Sequence, residues 1–180
     1  MKYTKLNLSN AYLVEVEKLT DSRGFFGRTW CSKEFTEQGL SKNMVQSSIS
    51  FNLKAGTLRG MHYAVLPATE AKLVRCTMGS IFDVIIDLRP NSPTFLQHTS
   101  ILLSATNYKS IFIPSGFAHG FLTLENNTEV HYMMDDYYRP DCSHGFRWND
   151  PTFNIQWPEA IKVINERDKN YPDFSQEHIS

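Results

Sequence analysis

Short stretches that alternate between apolar and polar residues dominate the second half of the chain. Residues 81–89 show the pattern best, because the even-numbered positions from Phe82 to Leu88 are apolar and their neighbours are more polar. This alternation predicts a half-buried antiparallel strand, and residues 78–80 before it predict a hairpin corner. Further strands are predicted over residues 11–16, 44–52, 71–76, 101–103, 110–113, 120–124 and 129–133. Many short strands at regular spacing favour a β-sandwich or barrel.

Helical patterns are few. Residues 32–39 predict a short helix that ends at Gly39, and residues 159–169 predict either a helix or an irregular wrap. The expected fold class is therefore mainly β with a few short helices. No internal repeat, low-complexity tract or linker divides the 180 residues, so residues 1–180 are expected to form a single domain with a sizeable core.

Composition narrows the possible partners and the cellular location. The formal net charge is −1, so electrostatics favours neither nucleic acid nor an anionic membrane as a partner. The first 18 residues contain no unbroken apolar run, and we expect neither a signal peptide nor a membrane span. Cys31, Cys76 and Cys142 are widely spaced and form no CxxC pair, which is typical of reduced thiols in a cytoplasmic protein.

The stretch Leu58–Tyr63, with sequence LRGMHY, places an arginine, a histidine and a tyrosine close together around a glycine. Lys72, His119 and Tyr132 follow downstream. Histidine titrates near neutral pH and is suited to act as a base, while arginine and lysine can hold anions and tyrosine can supply a proton. Collected in one pocket, these side chains would suit proton transfer next to a carbonyl group.

Residues 114–120, with sequence PSGFAHG, match the PxGxxH element of cupin barrels, in which a tight turn delivers a histidine into the barrel mouth. Metal-binding cupins also carry an HxH pair earlier in the chain, whereas the residue two positions after His62 is Ala64. His62, His119 and Glu70 could still supply three metal ligands. A metal-dependent cupin enzyme is therefore one alternative.

Several sequence blocks together resemble the dTDP-4-dehydrorhamnose 3,5-epimerase family, over residues 21–168. In chain order they are DSRGFF (21–26), LRGMHY (58–63), EAKLVRC (70–76), FDVIIDLR (82–89), SPTF (92–95), IPSGFAHGF (113–121), DYYRP (136–140) and RWNDP (147–151). The resemblance implies a metal-free, cupin-type jelly-roll barrel that needs no cofactor and forms a homodimer. It also implies a nucleotide-diphosphate sugar as substrate and epimerisation at C3 and/or C5 of a 4-keto-6-deoxyhexose as reaction.

The same resemblance implies roles for individual residues. The histidine of the LRGxH block, His62, is the expected base, Tyr132 is the expected acid, and Asp168 is expected to orient the base. Arg59 and Lys72 match residues that hold the diphosphate and the keto-sugar, and Arg23 and Gln46 match nucleotide contacts. The complete set of expected substrate-binding residues is Arg23, Gln46, Arg59, Lys72, His119, Tyr138 and Arg167.

The chemistry of this reaction explains why these residue types are needed. A ketone at C4 acidifies the protons on C3 and C5, so a base must remove one and an acid must return one to the opposite face. A cation or hydrogen-bond donor must stabilise the enolate oxygen, and a carboxylate can fix the tautomer of the histidine. In the predicted strand around Tyr132, alternation places Tyr132 on the apolar face with Val130 and Met134, and His131 on the other face.

Regular strand geometry conflicts with one pair of expected site residues. Arg59 and His62 would face opposite sides of a straight strand, because side chains alternate. Both can reach one pocket only if the strand is irregular near Gly60, and glycine is the residue that permits a bulge. We therefore predict an irregularity at this position.

The chain departs from the family pattern at positions that handle the nucleotide. Gly27 and Arg28 stand where the family has an aromatic residue and a glutamate, Ser47-Ser48 replace Asp-Asn, and Ser143 replaces an acidic residue. The expected base, acid and orienting aspartate are unaffected. The hypothesis is that the reaction is retained while the recognised base can differ from thymine, which leaves CDP and GDP as candidate nucleotides beside dTDP.

Besides the metal-dependent cupin enzyme, two further functions are alternatives to the epimerase. A metal-free 3,4-ketoisomerase of nucleotide sugars would use the same histidine but would not need Tyr132 as an acid. A sugar-binding or scaffold protein would need no contact between Asp168 and His62.

Overall fold

The computed structural model describes residues 1–40 and 43–178, and most of their regular structure is β-strand. Two short helices, α1 (Ser32–Glu37) and α2 (Glu166–Lys169), and two turns of 3-10 helix, Pro140–Cys142 and Gln176–His178, complete it. Strands β1 to β13 span Lys2–Lys5, Tyr12–Glu15, Leu19–Asp21, Gly24–Phe26, Gln46–Asn52, Leu58–Ala64, Lys72–Met78, Ser80–Asp87, His98–Ser104, Lys109–Ile113, Phe117–Thr123, Thr128–Met134 and Ser143–Gly145.

Two antiparallel sheets form the body of the molecule. The first has strand order β1-β2-β10-β7-β12-β5, and the second has order β13-β6-β11-β8-β9. Side chains of both sheets meet in one buried apolar cluster, to which the first sheet contributes Val74 and Ile111 and the second contributes Ile81 and Ile85. The expectation of a mainly β, cupin-type jelly roll with short helices is confirmed. The remaining pair, β3 and β4, forms a separate hairpin.

Strand β8 differs from its prediction as a half-buried strand, because it is buried on both faces. Ile81 and Ile85, on the face predicted to be the more polar one, belong to the cluster between the sheets. Val84 and Ile86, on the opposite face, belong to a second apolar cluster that contains Phe146 from the C-terminal part of the chain. Alternation alone suggested one solvent-facing side, but the other sheet covers one face and the later segment covers the other.

The corner at residues 78–80 is not a hairpin as predicted. Strands β7 and β8 belong to different sheets, so the chain turns there from the first sheet into the second. Gly79 has a φ of +73°, a conformation that glycine adopts without the steric cost of a side chain.

The C-terminal region forms mainly an irregular wrap, one of the two predicted alternatives. Val163 makes a parallel β-bridge to Thr57, and the short helix α2 follows. This path carries Asp168 back to strand β6, where its side chain contacts the expected catalytic histidine.

Helix α1 confirms the prediction for residues 32–39. It buries Phe35 in an apolar cluster with Val14, Leu73 and Phe112 of the first sheet, and Gly39 follows with a φ of +71°. Over residues 1–40 and 43–178, no helix is long and apolar enough to cross a membrane. All three cysteines have free thiols.

Candidate active site

A cavity of about 680 Å³ opens between the two sheets. It gathers eight of the ten residues expected in the site: Gln46, Arg59, His62, Lys72, His119, Tyr132, Tyr138 and Arg167. Asp168 lies behind His62 and is buried, whereas Arg23 lies outside this cavity.

An irregularity in β6 brings Arg59 and His62 to the same cavity, which confirms the prediction made for Gly60. His62 pairs with His119 of β11, but Arg59 pairs with Phe121, so the register shifts between the two positions. Gly60 has a φ of +123°. A Cβ at Gly60 would lie 2.6 Å from the Cα of Gly120, so glycine is required by both conformation and close approach.

His62 and Asp168 form a directly bonded pair. The His62 Nε2 donates to Oδ1 of Asp168 at 2.7 Å, and the backbone N–H of Gly60 donates to Oδ2 at 3.0 Å. Burial opposes ionisation of Asp168, but these two hydrogen bonds and the charges of His62 and Arg167 outweigh it. The pKa of this carboxyl is therefore held below its usual value. With Nε2 fixed as the donor, Nδ1 is the nitrogen that a neutral His62 ring offers as a base.

The N-terminus of α2 fixes the position of Asp168. The side chain of Asn165 caps this helix by accepting a hydrogen bond from the Asp168 N–H at 2.6 Å. The backbone of Asp168 is thereby held while its carboxylate reaches toward β6. A sugar-binding or scaffold protein would need no contact between Asp168 and His62, so the contact that is present argues against such a role.

A second histidine–aspartate pair, which sequence reasoning did not find, stands beside the first. The Nε2 of His119 donates to Oδ2 of Asp83 at 2.8 Å, and the Asp83 side chain is completely buried. The sequence did contain a signal. Asp83 lies between Ile81 and Ile85 on one face of β8, and a carboxylate among isoleucines needs a buried partner.

Tyr132 reaches the cavity from the opposite sheet. It belongs to β12 in the first sheet, whereas His62 belongs to β6 in the second. Val130 and Met134 line the same cavity, and His131 bonds Ser47 instead. The predicted orientation of this strand is confirmed, and the cavity has a histidine on one wall and a tyrosine on the other.

Positive charge dominates the cavity wall. Arg59, Lys72, Arg139 and Arg167 line it, and Glu70 is the one carboxylate among the described lining residues. Arg59 is oriented by a hydrogen bond from its Nε to Asn52 at 2.8 Å, and Arg167 donates to the carbonyl oxygen of Ser143 at 3.2 Å. Such a wall suits a ligand with several negative charges, of which a diphosphate is one.

Glu70 forms an ion pair with Lys72, with 2.7 Å between Oε1 and Nζ. The possible metal set of His62, His119 and Glu70 is therefore replaced by three separate pairs, each with its own partner. Across the described residues, no group of three or more histidine, cysteine, aspartate or glutamate side chains is placed to hold a metal ion.

Of the two residues expected to contact the nucleotide, Gln46 lines the cavity and Arg23 does not. Gln46 lines the cavity and accepts a hydrogen bond from the backbone N–H of Tyr138 at 2.6 Å, so it fixes the loop that carries this exposed tyrosine. Arg23 lies in the turn between β3 and β4, its side chain is 88% exposed, and its guanidinium pairs with Asp21.

Positions that depart from the family pattern fall in three places. Ser48 and Ser143 line the main cavity. Gly27 and Arg28 line a separate cavity of about 470 Å³, where Arg28 pairs with Glu34 at 2.9 Å. Ser47 points to the other face of β5 and bonds His131.

Comparisons with a family model and with known relatives point to the same family. The family model of dTDP-4-dehydrorhamnose 3,5-epimerase matches residues 5–176. A dTDP-4-dehydrorhamnose 3,5-epimerase of Methanothermobacter thermautotrophicus is 40% identical over 99% of this chain and 97% of its own length.

Two solved structures share the fold of this chain at 38% and 28% sequence identity. The dTDP-4-dehydrorhamnose 3,5-epimerase of Bacillus anthracis, solved with TDP and pyrophosphate bound, superposes with a TM-score of 0.92 at 38% identity, over 96% of this chain and 99% of that one. A 3'-monoepimerase of Streptomyces bikiniensis in complex with dTDP-quinovose gives 0.86 at 28% identity, over 93% and 85%. The chain belongs to the dTDP-4-dehydrorhamnose 3,5-epimerase family and is an enzyme of the isomerase class.

Proposed function

We propose that residues 1–180 form one epimerase domain that inverts C3, C5 or both in a nucleotide-linked 4-keto-6-deoxyhexose. His62 is the base, Asp168 orients it, and Tyr132 is the acid. The substrate-binding residues are Arg59, Lys72, His119, Tyr138, Gln46 and Arg167, with Arg23 supplied by a second copy of the chain.

The placement of His62 and Tyr132 on facing sheets carries this proposal. His62 removes a proton from the carbon next to the ketone, and the electron pair of the C–H bond moves to form an enolate with its charge on oxygen. Tyr132 then protonates the same carbon from the other side, which inverts it. A tyrosinate and a protonated histidine remain, and exchange with solvent restores both.

The cationic wall supplies the other requirement of the reaction. Arg59 and Arg167 bind the diphosphate, because guanidinium groups match phosphate oxygens in geometry and charge. Lys72 is the candidate for the enolate oxygen. By the strand register, Lys72 pairs with Met134 and Val74 pairs with Tyr132, so Lys72 and Tyr132 are diagonal neighbours on one face of the first sheet.

Proton NMR in deuterium oxide tests the reaction and the nucleotide together. The protein is offered dTDP-, CDP- and GDP-linked 4-keto-6-deoxyhexoses separately, with His62→Ala as the control. We expect deuterium to enter C3, C5 or both in one of the three substrates with the wild type alone. Deuterium at C3 alone would identify a 3-epimerase, and no exchange in any substrate would overturn the proposal.

Replacement of Tyr132 by phenylalanine separates the epimerase from a 3,4-ketoisomerase. In an epimerase this change should leave deuterium exchange by His62 in place while inversion falls by roughly 10²-fold or more, because the acid for the opposite face is missing. In a ketoisomerase the same change should leave turnover nearly intact, and that result would favour the alternative.

The nucleotide depends on positions in the wall of the main cavity. Ser48 and Ser143 lie there, and they support a nucleotide preference that differs from dTDP-specific relatives. We expect CDP- or GDP-linked sugar to have a higher kcat/KM than the dTDP-linked sugar. Equal or better turnover of the dTDP-linked sugar would contradict this part of the proposal.

We also propose that the protein is a homodimer in which the β3–β4 hairpin of one copy reaches the cavity of the other. Arg23 on that hairpin is not among the residues that line the cavity of its own chain. Leu19 and Phe26 of the hairpin are each 69% exposed, and Ile49 and Phe51 are exposed on strand β5 beside the cavity. Exposed apolar side chains in such number are typical of an interface.

Mixed dimers test this arrangement. Arg23→Ala and His62→Ala damage different halves of the proposed site, so a mixed dimer contains one intact site and one with both changes. We expect activity to return on mixing to about one quarter of the wild-type value, because half of the dimers are mixed and each has one good site. A monomer by light scattering, or no recovery on mixing, would contradict the proposal.

The predicted location remains the cytoplasm, which the three free thiols support.

A further inference from the structure

Asp83 occupies an unusual position for a carboxylate. Its side chain is completely buried, and its neighbours on the same face of β8 are Ile81 and Ile85. Oδ2 accepts the hydrogen bond from His119, but Oδ1 is buried with no hydrogen-bond partner. A buried polar atom without a partner is destabilising, so its presence needs an explanation.

Asp87, four residues further along the same strand, shows what a structural carboxylate looks like in this fold. It is equally buried, but Arg89, Ser92 and Thr94 all donate to its two oxygens. These hydrogen bonds fasten the loop that follows β8. Asp83 fastens no loop, and among the described residues its one hydrogen-bond partner is the His119 ring.

Asp83 can reach the cavity only through His119. It does not line the cavity, whereas His119 does. Because the carboxylate accepts from Nε2, Nδ1 is the ring nitrogen that remains for a ligand. In the strand register, His119 stands directly opposite His62, so this nitrogen is presented beside the proposed base.

We propose that Asp83 is a positioning residue for the reaction, which holds the His119 ring in one tautomer and orientation, so that its Nδ1 accepts a hydrogen bond from a hydroxyl group of the substrate next to the reacting carbon. This inference rests on the proposed epimerase function. The aspartate of a serine hydrolase triad acts in the same way, since it holds its histidine in one tautomer and orientation. In apolar surroundings a carboxylate with one partner acts on that partner strongly, because no other donor shares its charge.

A double-mutant cycle tests the inference. Asp83→Asn, His119→Gln and the double variant are compared with the wild type by kcat, KM and melting temperature. We expect Asp83→Asn to lower kcat roughly 10- to 100-fold while KM changes less than about threefold, because a small misplacement of a group near the reacting atoms has an effect of this size. The double variant should be no slower than His119→Gln, since Asp83 acts through that ring.

Asp87→Asn is the matched control, because Asp87 lies on the same strand and is buried to the same degree. It should lower the melting temperature and leave kcat of the folded protein unchanged. A wild-type kcat in Asp83→Asn would overturn the inference, and so would fully additive losses in the double variant.

A measurement on the wild type needs no variant to fold. Nitrogen-15 NMR of the His119 ring should show Nε2 as the protonated nitrogen of the neutral form, and the Nδ1-protonated tautomer would overturn the inference. A wild type that neither exchanges deuterium nor turns over any of the three substrates would overturn the epimerase function and this inference together. Normal wild-type turnover with an unaffected Asp83→Asn variant would overturn this inference alone.

Discussion

The two histidine–aspartate pairs of the cavity look alike in geometry but differ in how they are supported. His62 and His119 are directly paired across β6 and β11, and each Nε2 meets a carboxylate, at 2.7 Å and 2.8 Å. Asp83 comes from β8, the strand next to β11. Asp168 comes from α2, at a sequence separation of 106 residues from His62.

Exposure and hydrogen bonding separate the two pairs further. The His62 side chain is 36% exposed and that of His119 is 12% exposed. Both oxygens of Asp168 are bonded, whereas Asp83 has one bonded oxygen. The more open ring is suited to take a proton and exchange it with solvent, and the enclosed ring is suited to hold a fixed contact. The same pair of residue types can therefore serve two different purposes in one cavity.

Replacement of His62 or His119 by alanine should give the largest difference in activity between the two pairs. We expect His62→Ala to lower kcat about 10³- to 10⁴-fold and to abolish deuterium exchange, since no base remains. His119→Ala should lower kcat only about 10- to 100-fold and retain exchange, because the base is still present. The measurement is deuterium exchange followed by NMR, and loss of exchange in both variants to the same extent would remove the distinction between the two rings.

Replacement of the carboxylate behind the base should have the next largest effect. Asp168→Asn keeps the shape of the side chain but no longer fixes the His62 tautomer, so kcat should fall roughly 10²- to 10³-fold. KM should change much less, because Asp168 does not line the cavity. Steady-state kinetics with a melting curve for each variant checks this, and a larger effect for Asp83→Asn than for Asp168→Asn would reverse the assignment of roles.

Strand patterns predict much of this cavity because they depend on local alternation. The inward position of Tyr132 follows from its apolar neighbours Val130 and Met134, and the irregularity at Gly60 follows from the need to turn Arg59 and His62 to one side. Both are present in the structure. The resemblance to the family supplied Asp168, which no local pattern could connect to His62 over such a distance.

Features that depend on tertiary contacts could not be predicted in this way. Alternation places Asp83 on the more polar side of β8, and it cannot reveal that this side faces the apolar cluster between the sheets. The turn at Gly79 resembles a hairpin corner, because the sequence cannot show that β7 and β8 join different sheets. The position of Arg23 outside the cavity of its own chain depends on how the whole β3–β4 hairpin is arranged.

The irregularity in β6 at Gly60 gives a third contrast, which concerns stability rather than catalysis. Gly60→Ala should lower the free energy of unfolding by about 2–4 kcal/mol, because a Cβ at a φ of +123° would also lie 2.6 Å from the Gly120 backbone. Gly24 is the matched control, since its φ is +129° and no atom lies within 4 Å of the position that a Cβ would occupy there. Gly24→Ala should therefore lower it by only about 1 kcal/mol, the backbone cost alone. Equal losses in urea denaturation would show that the close approach at Gly60 is unimportant.

The smallest expected effect concerns the stability of wild type and Asp168→Asn at acid pH. The hydrogen bonds to Asp168 lower its pKa in the folded protein, so its contribution to stability is complete above the unfolded pKa of about 3.9 and disappears as pH falls through the lower folded value. The difference in unfolding free energy between wild type and Asp168→Asn should therefore be larger at pH 5 than at pH 3, and it should shrink as the pH falls below about 4. Asp87, whose pKa is also lowered, remains in both proteins and its contribution cancels in the subtraction. Urea denaturation at a series of pH values measures the difference, and a gap that widens toward low pH would mean that burial, rather than the hydrogen bonds from His62 and Gly60, controls the ionisation of Asp168.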